Sequence, residues 1–259
     1  MKNLQLLALL FCYQIMLAQT NDYKITYKRF EGNHKRDAVL YVKENQPTVM
    51  QTIMASTTQL KIVKDTTYVD ENGATVMKGF SGSTDYSKFP DEYMKVDPAT
   101  NKIEMIKDIN RKSFLVTDEL NYTWKITTET KKIKDYTCYK ATTTFRGNNF
   151  EAWFTPDIPI NAGPWKWYGL PGLIVEATDT DKSEVYLLEK VEKLNEEIPF
   201  PSKNLSRINL KQYFEKEEEA LNAMLAEYSN NNRGTTTTVK TLGRFGLERI
   251  YEWEENPNK

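Results

Sequence analysis

The stretch WKWYGLPGLIVEAT, residues 165–178, joins an aromatic cluster, a rigid turn and an apolar run without interruption. Pro171 fixes its backbone φ at about −65°, and Gly172 accepts a positive φ, as the two central positions of a type II turn require. Leu173, Ile174 and Val175 then continue as apolar, mostly β-branched residues. The sequence therefore predicts a type II turn that leads directly into a β-strand.

Most of the remaining chain alternates apolar and polar residues with the period of two that is typical of antiparallel strands. Short turn signals separate these runs, and Asn72-Gly73 is a strong hairpin signal within 66–77. Besides that hairpin, the predicted strands are 23–27, 39–43, 102–107, 113–117, 124–130, 136–145, 150–155, 173–178 and 184–191. This spacing predicts an antiparallel meander.

One segment has the helical period instead. From Leu210 to Tyr228 apolar residues fall largely at spacings of three and four, and Glu215–Glu219 supply a polar face. The Asn230–Gly234 stretch ends this helix, and Phe245–Trp253 returns to strand-like alternation. The chain is therefore predicted to be mainly β (α+β): a strongly curved antiparallel sheet or incomplete barrel, folded around one long amphipathic helix near the C-terminus.

The first residues read as a secretory signal. Lys2 is followed by the apolar run Leu4–Leu17 and by Ala18-Gln19, a suitable cleavage point. We therefore expect a signal peptide at 1–18, a single domain at 19–259, and a location in the periplasm, at the outer membrane or outside the cell. Phe11 precedes Cys12 where lipoprotein signals carry a small residue, so we expect no lipid. No later run approaches the roughly 20 apolar residues of a membrane span.

The composition argues against several classes of function. The chain has 35 basic and 36 acidic residues, so its net charge gives no reason to expect nucleic acid as a partner. His34 is the only histidine and Cys138 the only cysteine after the signal, which argues against conventional triads, zinc clusters and internal disulfides. We accordingly predict no catalytic residue, no metal and no cofactor.

Two local patterns have both a functional and a structural interpretation. Cys138 has Lys140 on the same strand face, where it would favour a thiolate, but free cysteine is most often buried in a core. The run 179–184, DTDKSE, is similar to the start of a calcium loop, but Glu184 and Lys190 occupy the sixth and twelfth positions, where Gly and Glu are needed. We favour core packing for the cysteine and a hairpin turn for the acidic run.

The aromatic group around the turn has two interpretations that the sequence leaves open. It forms either a core seam, with the indole N–H groups satisfied, or an apolar cleft for a ligand. The candidate binding residues are Trp153, Trp165, Trp167, Tyr168 and Leu170. The structural motif is Gly169, Leu170, Pro171, Gly172, Leu173 and Ile174.

That hexapeptide is, letter for letter, the signature of the GLPGLI family of Bacteroidetes envelope proteins, which this chain resembles. The resemblance extends to Cys138, to Ala152–Thr155 and to Gly163-Pro164. It implies an envelope location and a β-rich architecture, but no particular reaction.

We therefore expect a non-enzymatic binding or carrier module that holds a hydrophobic or peptide-like ligand in the concavity of the sheet. Two alternatives stay open. One is an envelope hydrolase that uses carboxylates, since the sequence does not single out a pair among its many acidic residues. The other is an assembly partner of an outer-membrane transporter, in which an exposed edge strand would matter more than a pocket.

Overall fold

The computed structural model describes residues 21–59, 66–69, 75–78, 85–231 and 247–254. The predicted signal peptide, the Asn72-Gly73 turn and 232–234 of the predicted break lie outside these residues. The strands are β1 (Tyr23–Glu31), β2 (His34–Val42), β3 (Thr48–Gln59), β4 (Thr66–Val69), β5 (Thr75–Lys78), β6 (Glu92–Asp97), β7 (Lys102–Ile109), β8 (Lys112–Glu119), β9 (Lys125–Ile133), β10 (Tyr136–Phe145), β11 (Asn148–Thr155), β12 (Leu173–Asp179), β13 (Glu184–Lys193) and β14 (Ser206–Asn209). A short 3₁₀ turn covers Tyr86–Lys88, and the helix α1 covers Leu210–Asn231.

Twelve of these strands form one sheet in the order β14-β8-β7-β6-β3-β2-β1-β13-β12-β11-β10-β9, and β4 and β5 form a separate hairpin. All neighbours in the sheet are antiparallel except β14, which lies parallel to β8. Among the described strands, the two ends of the sheet do not pair with each other. The prediction of a mainly β fold, a curved and unclosed sheet, and one helix near the C-terminus is confirmed.

The prediction of a simple antiparallel meander was only partly correct. β1 pairs with β13, from Tyr23 opposite Lys193 to Glu31 opposite Glu184, so the first three strands lie in the middle of the sheet. β3, β6 and β14 were not predicted from the sequence. The first three residues of β3 are all buried, so the strand begins with a block rather than an alternation of buried residues.

The curvature of the sheet brings β6–β8 over β10–β12, and a large cluster of buried side chains lies between them. A second cluster lies on β1–β3, β12 and β13. The segment 156–172 contributes to both, and Trp165 packs against both of them. The Tyr27 hydroxyl of β1 donates a buried hydrogen bond to the Ile174 carbonyl of β12 at 2.7 Å. This bond joins β1 and β12, which are separated by β13 in the sheet.

The expectation that the sheet folds around the helix was wrong. α1 buries Leu210 and Tyr213 in its first turn, whereas Leu221 is 45% and Met224 is 59% exposed. Its start is fixed by a reciprocal cap, in which Gln212 N donates to Asn209 Oδ1 and Asn209 N donates to Gln212 Oε1. Aromatic side chains of 156–172 already fill the space that the helix was expected to occupy.

The strand predicted at the C-terminus was also wrong for its described part. Residues 247–254 contain no strand but form a short segment that we call the C-terminal strap. Leu247 and Tyr251 of the strap are buried in the large cluster, and Arg249 N and Ile250 N both donate to the Arg146 carbonyl. A spacing of four between the buried residues fits a turn-like segment, not an alternating strand.

Candidate functional site

The turn of the hexapeptide differs from the predicted type. Gly172 N donates to the Leu170 carbonyl at 2.8 Å, which makes an inverse γ-turn centred on Pro171. Leu173 N, which would close a type II turn, donates instead to the Ile158 carbonyl at 2.9 Å. The φ of Gly172 is +154°, well away from the roughly +80° of a type II turn. The prediction of a type II turn was therefore wrong.

Gly172 is required by a close approach of two backbones. A Cβ atom at this position would lie 2.1 Å from the Thr155 carbonyl oxygen and 2.6 Å from its carbon. Thr155 is the last residue of β11, so the glycine allows the chain to enter β12 directly beside the end of β11. The hexapeptide is thus a place where two backbone segments approach each other closely, at the end of β11 and the start of β12.

The structure does not bring the five candidate binding residues into one pocket. Trp167 and Leu170 are 3% and 2% exposed and lie in the large cluster. Trp153 is 7% exposed and lies in the second cluster, with the Lys131 amine 4.2 Å from its ring centre. Trp165 is half-buried between the clusters, and Tyr168 is half-buried at the surface.

Tyr168 and Leu170 line an open cleft of about 280 Å³, which we call the aromatic cleft. Of its other lining residues, Asn101 comes from the β6–β7 turn and Gly169 from the hexapeptide. The rest come from the segment between β8 and β9 with the start of β9: Leu120, Asn121, Tyr122, Thr123, Trp124 and Ile126. Among the residues that the structure describes, none in this lining is Lys, Arg, His, Asp or Glu, although 27% of the chain is charged. The cleft is therefore a neutral surface on a charged protein.

The polar ends of its aromatic side chains are tied to backbone groups and to Asn101. Trp124 Nε1 donates to the Tyr168 carbonyl at 2.7 Å, and the Tyr122 hydroxyl donates to the Lys166 carbonyl at 2.9 Å. The Tyr168 hydroxyl donates to Asn101 Oδ1 at 2.8 Å. Burial raises the pKa of both tyrosines above the ordinary value, so both phenols stay neutral. The rings are held in place by these hydrogen bonds and by the edge-to-face contacts of Tyr122 with Trp124 and Tyr168.

Sequence reasoning missed Tyr122, Trp124 and Ile126 because it assigned 124–130 to a regular strand. The strand begins one residue later, at Lys125. The signal in the sequence was the run NYTW at 121–124, where two aromatic residues are two apart in a polar stretch.

A larger cleft of about 720 Å³ lies beside the start of β7, the end of β8 and the start of α1. Its lining has four basic and four acidic side chains: Lys95, Lys102, Arg207, Lys211, Asp97, Glu104, Asp118 and Glu119. Glu104 forms ion pairs with Lys95 and Arg207, and these outweigh burial and lower its pKa. Its carboxylates with shifted pKa values, Glu104 and Asp118, are both held ionised, which does not favour a general acid here.

An ionic network includes Lys166, the residue between Trp165 and Trp167. Lys166 is 1% exposed, and its Nζ is 3.0 Å from Asp118 Oδ2 and 2.7 Å from Glu248 Oε1. Arg146 binds Asp118 through both Nη atoms, at 2.7 and 2.8 Å, and also contacts Glu248 and Glu252. The network joins β8, the β10–β11 turn, the hexapeptide region and the C-terminal strap.

The remaining candidates have structural positions. Cys138 is fully buried, and burial raises the pKa of its thiol, so the expectation of core packing is confirmed. His34 is the first residue of β2, and its Nε2 is 2.8 Å from the Tyr86 hydroxyl. Asp179 accepts hydrogen bonds from Ser183 and from Glu184 N, as expected for a hairpin turn.

Across the described residues, no helix has the length and apolar character that crossing a bilayer requires.

Comparison with known proteins gives a family and a fold. The family model described as "N-glycanase peptide, N-terminal domain" (PNGase F-II) matches residues 55–214. No curated protein matches significantly. Two solved structures, of PNGF-II in the P21 and in the C2 space group, match with a TM-score of 0.51 and sequence identities of 19% and 18%.

Each match covers 78% of this chain but only 34% or 33% of the PNGF-II chain, so this chain spans about a third of the length of those proteins. At this identity the structural likeness concerns the fold alone. The family model covers more than half of the chain, and the chain therefore belongs to the family of N-glycanase N-terminal domains.

Proposed function

We propose that this chain is an exported, non-enzymatic binding module that takes a hydrophobic or peptide-like group of a partner into the aromatic cleft. The observation that carries this proposal is the neutral lining of that cleft, with the rings of Tyr122, Trp124 and Tyr168 fixed by hydrogen bonds. A preformed surface of this kind loses little conformational entropy when a ligand binds.

The size of the cleft suits a part of a molecule better than a whole cofactor. Its 280 Å³ lie just below the range of about 300–1,000 Å³ that is usual for small-molecule pockets. Burial of one large apolar side chain contributes about 1.5–3 kcal/mol. Micromolar binding needs about 8 kcal/mol, so the partner must also contact protein surface outside the cleft.

The concavity of the sheet, where we had expected the ligand, is filled by the side chains of the large cluster. The proposed site therefore lies outside this concavity, beside the hexapeptide. Of the residues first considered, only Tyr168 and Leu170 belong to it.

A neutral sugar ring is a second candidate ligand. Aromatic faces beside the exposed amides of Asn101 and Asn121 suit the apolar faces and hydroxyl groups of a sugar. The family is named for an N-glycanase, and this chain corresponds to its N-terminal domain. With such a ligand, the module would bind a glycan in the aromatic cleft.

The exported location is proposed from the sequence of Met1–Ala18, and the kinship with GLPGLI proteins from the hexapeptide and its neighbours. In that setting an outer-membrane protein is a natural source of a peptide-like group.

The test is an NMR titration of the ¹⁵N-labelled full chain with a short neutral peptide that contains one phenylalanine, and separately with N-acetylglucosamine. We expect one of them to shift the Trp124 indole N–H signal. Ile126→Asp, at a side chain that is 50% exposed in the cleft, should weaken that binding at least tenfold. Leu187→Asp, at a 38% exposed side chain outside the lining, should leave it unchanged. No shift with either ligand, or equal weakening by both variants, would refute the proposal.

A further inference from the structure

We propose that β9 accepts an extended, acidic segment of the partner as an additional strand of the sheet. This inference rests on the proposed function, because it supplies the second contact that a small cleft requires. It goes beyond that function in naming the conformation and the charge of the partner.

β9 is the end of the twelve-stranded sheet and, among the described strands, pairs only with β10. It has nine residues, of which none is fully buried. The opposite end, β14, has only four residues, which is one of the usual ways of protecting a sheet edge. β9 is therefore the longer of the two edges for adding a strand.

A bulge divides this edge into two parts. Ala141 of β10 faces Ile126, and Tyr139 faces Thr130, so that Thr127–Glu129 stand opposite the single residue Lys140. From Thr130 to Ile133 the pairing with β10 is regular. Alternate backbone groups along this regular run point away from β10, as on any edge strand. We expect the added strand to pair with Thr130–Ile133.

The charge of the edge selects its partner. Residues 125–134 contain four lysines and one glutamate, whereas the whole chain has a net charge of −1. Lys131 forms an ion pair with Glu176 on the sheet, while Lys125 and Lys132 are exposed. Like charges directly opposite each other disfavour pairing, so two copies of this edge repel each other. The same lysines attract an acidic strand.

The edge continues into the aromatic cleft. Ile126 belongs both to β9 and to the lining of the cleft. Ile126 and Thr130 face Ala141 and Tyr139, which are only two residues apart in β10 because of the bulge, so the two positions lie about 7 Å apart along the sheet. A strand that pairs with Thr130–Ile133 would therefore place an apolar side chain in the cleft about two residues beyond its paired stretch.

The experiment uses the full chain and two synthetic peptides. One peptide carries a phenylalanine and, two residues away, a stretch of alternating threonine and glutamate; the other has lysine in place of glutamate. Hydrogen exchange of the Thr130–Ile133 amides is followed by NMR at saturating peptide. We expect the acidic peptide to slow exchange of the outward-pointing amides at least tenfold, and the basic peptide to have no effect.

Two double variants complete the test. Lys125→Glu with Lys132→Glu should reverse the preference, so that the basic peptide protects the amides. Lys211→Glu with Lys216→Glu makes the same change of net charge on α1 and should not alter the result. A Trp124 shift without amide protection would overturn this inference and leave the proposed function standing. Equal protection by both peptides would also overturn it, and the absence of both signals would overturn both proposals.

Discussion

Lys166 Nζ lies 3.0 Å from Asp118 Oδ2, and both side chains are almost completely removed from solvent. The pair joins the residue between Trp165 and Trp167 to the end of β8. Arg146 and Glu248 complete the network, so two cations and two carboxylates share one buried space. A buried ion pair is costly to break from one side, because it leaves the other charge without a partner.

Lys166→Met should therefore destabilise the protein by about 3–5 kcal/mol, as expected when one member of a buried ion pair is removed. The free energy of unfolding is measured by urea denaturation near neutral pH. Lys211→Met, at an exposed lysine of α1, is the control and should change stability by about 0.5 kcal/mol or less. A loss below about 1 kcal/mol for Lys166→Met would mean that the network contributes little to stability.

Asp118 should make stability depend on pH in acid. Burial alone would raise its pKa, but the hydrogen bonds from Arg146 and the charge of Lys166 outweigh it and lower the pKa from 3.8. A carboxyl whose pKa is lower in the folded state stabilises the protein above its unfolded value, and this stabilisation is lost as the pH falls. Asp118→Asn should be less stable than the parent near pH 6, and the difference should shrink as the pH falls below 3.8. Urea denaturation at several pH values measures this, and a constant difference would contradict it.

Gly172→Ala should be strongly destabilising, because its Cβ atom would meet the Thr155 carbonyl oxygen. We expect a loss on the order of 3–5 kcal/mol, comparable to that of a major core defect. Pro171→Ala should cost only about 0.4–1 kcal/mol, through the added freedom of the unfolded chain. Thermal melts of both variants provide the comparison. Equal, small losses would show that the two backbone segments do not approach each other as closely as described.

Trp167→Ala should cost about 3–5 kcal/mol, because the ring is 3% exposed and contacts Phe150, Tyr122 and Trp165. Trp124→Phe keeps a ring in the cleft but removes the hydrogen bond to the Tyr168 carbonyl, which should cost about 1 kcal/mol. Denaturation curves of the two variants test this order of effects. If Trp167→Ala were the milder change, the assignment of Trp167 to the core would be wrong.

The strands that alternate in sequence were predictable, because each has one buried and one polar face. β10 was predicted with the observed boundaries, Tyr136–Phe145. β3 was not predicted, because Thr48, Val49 and Met50 are all buried and the strand therefore begins without alternation. The helix was predicted with its correct start. Its apolar positions did not show that, among its described side chains, the buried ones are Leu210 and Tyr213 of the first turn.

The site was less predictable, because it combines residues that are distant in the sequence. Tyr122 and Tyr168 come together only after β8 and the 156–172 segment are in place, and no local pattern encodes that contact. The turn type was missed for a similar reason. Proline followed by glycine specifies the backbone angles of a turn, but the partner of Leu173 N is Ile158, fifteen positions earlier in the chain.

The limited contact between α1 and the core has a consequence for the length of the helix. The family match ends at Phe214, close to the point where the helix leaves the packed part of the molecule. Residues inserted beyond that point lengthen a helix by about 1.5 Å each and need no compensating change in the sheet. The length of this helix can therefore change without a change in the packing of the sheet or of its cleft.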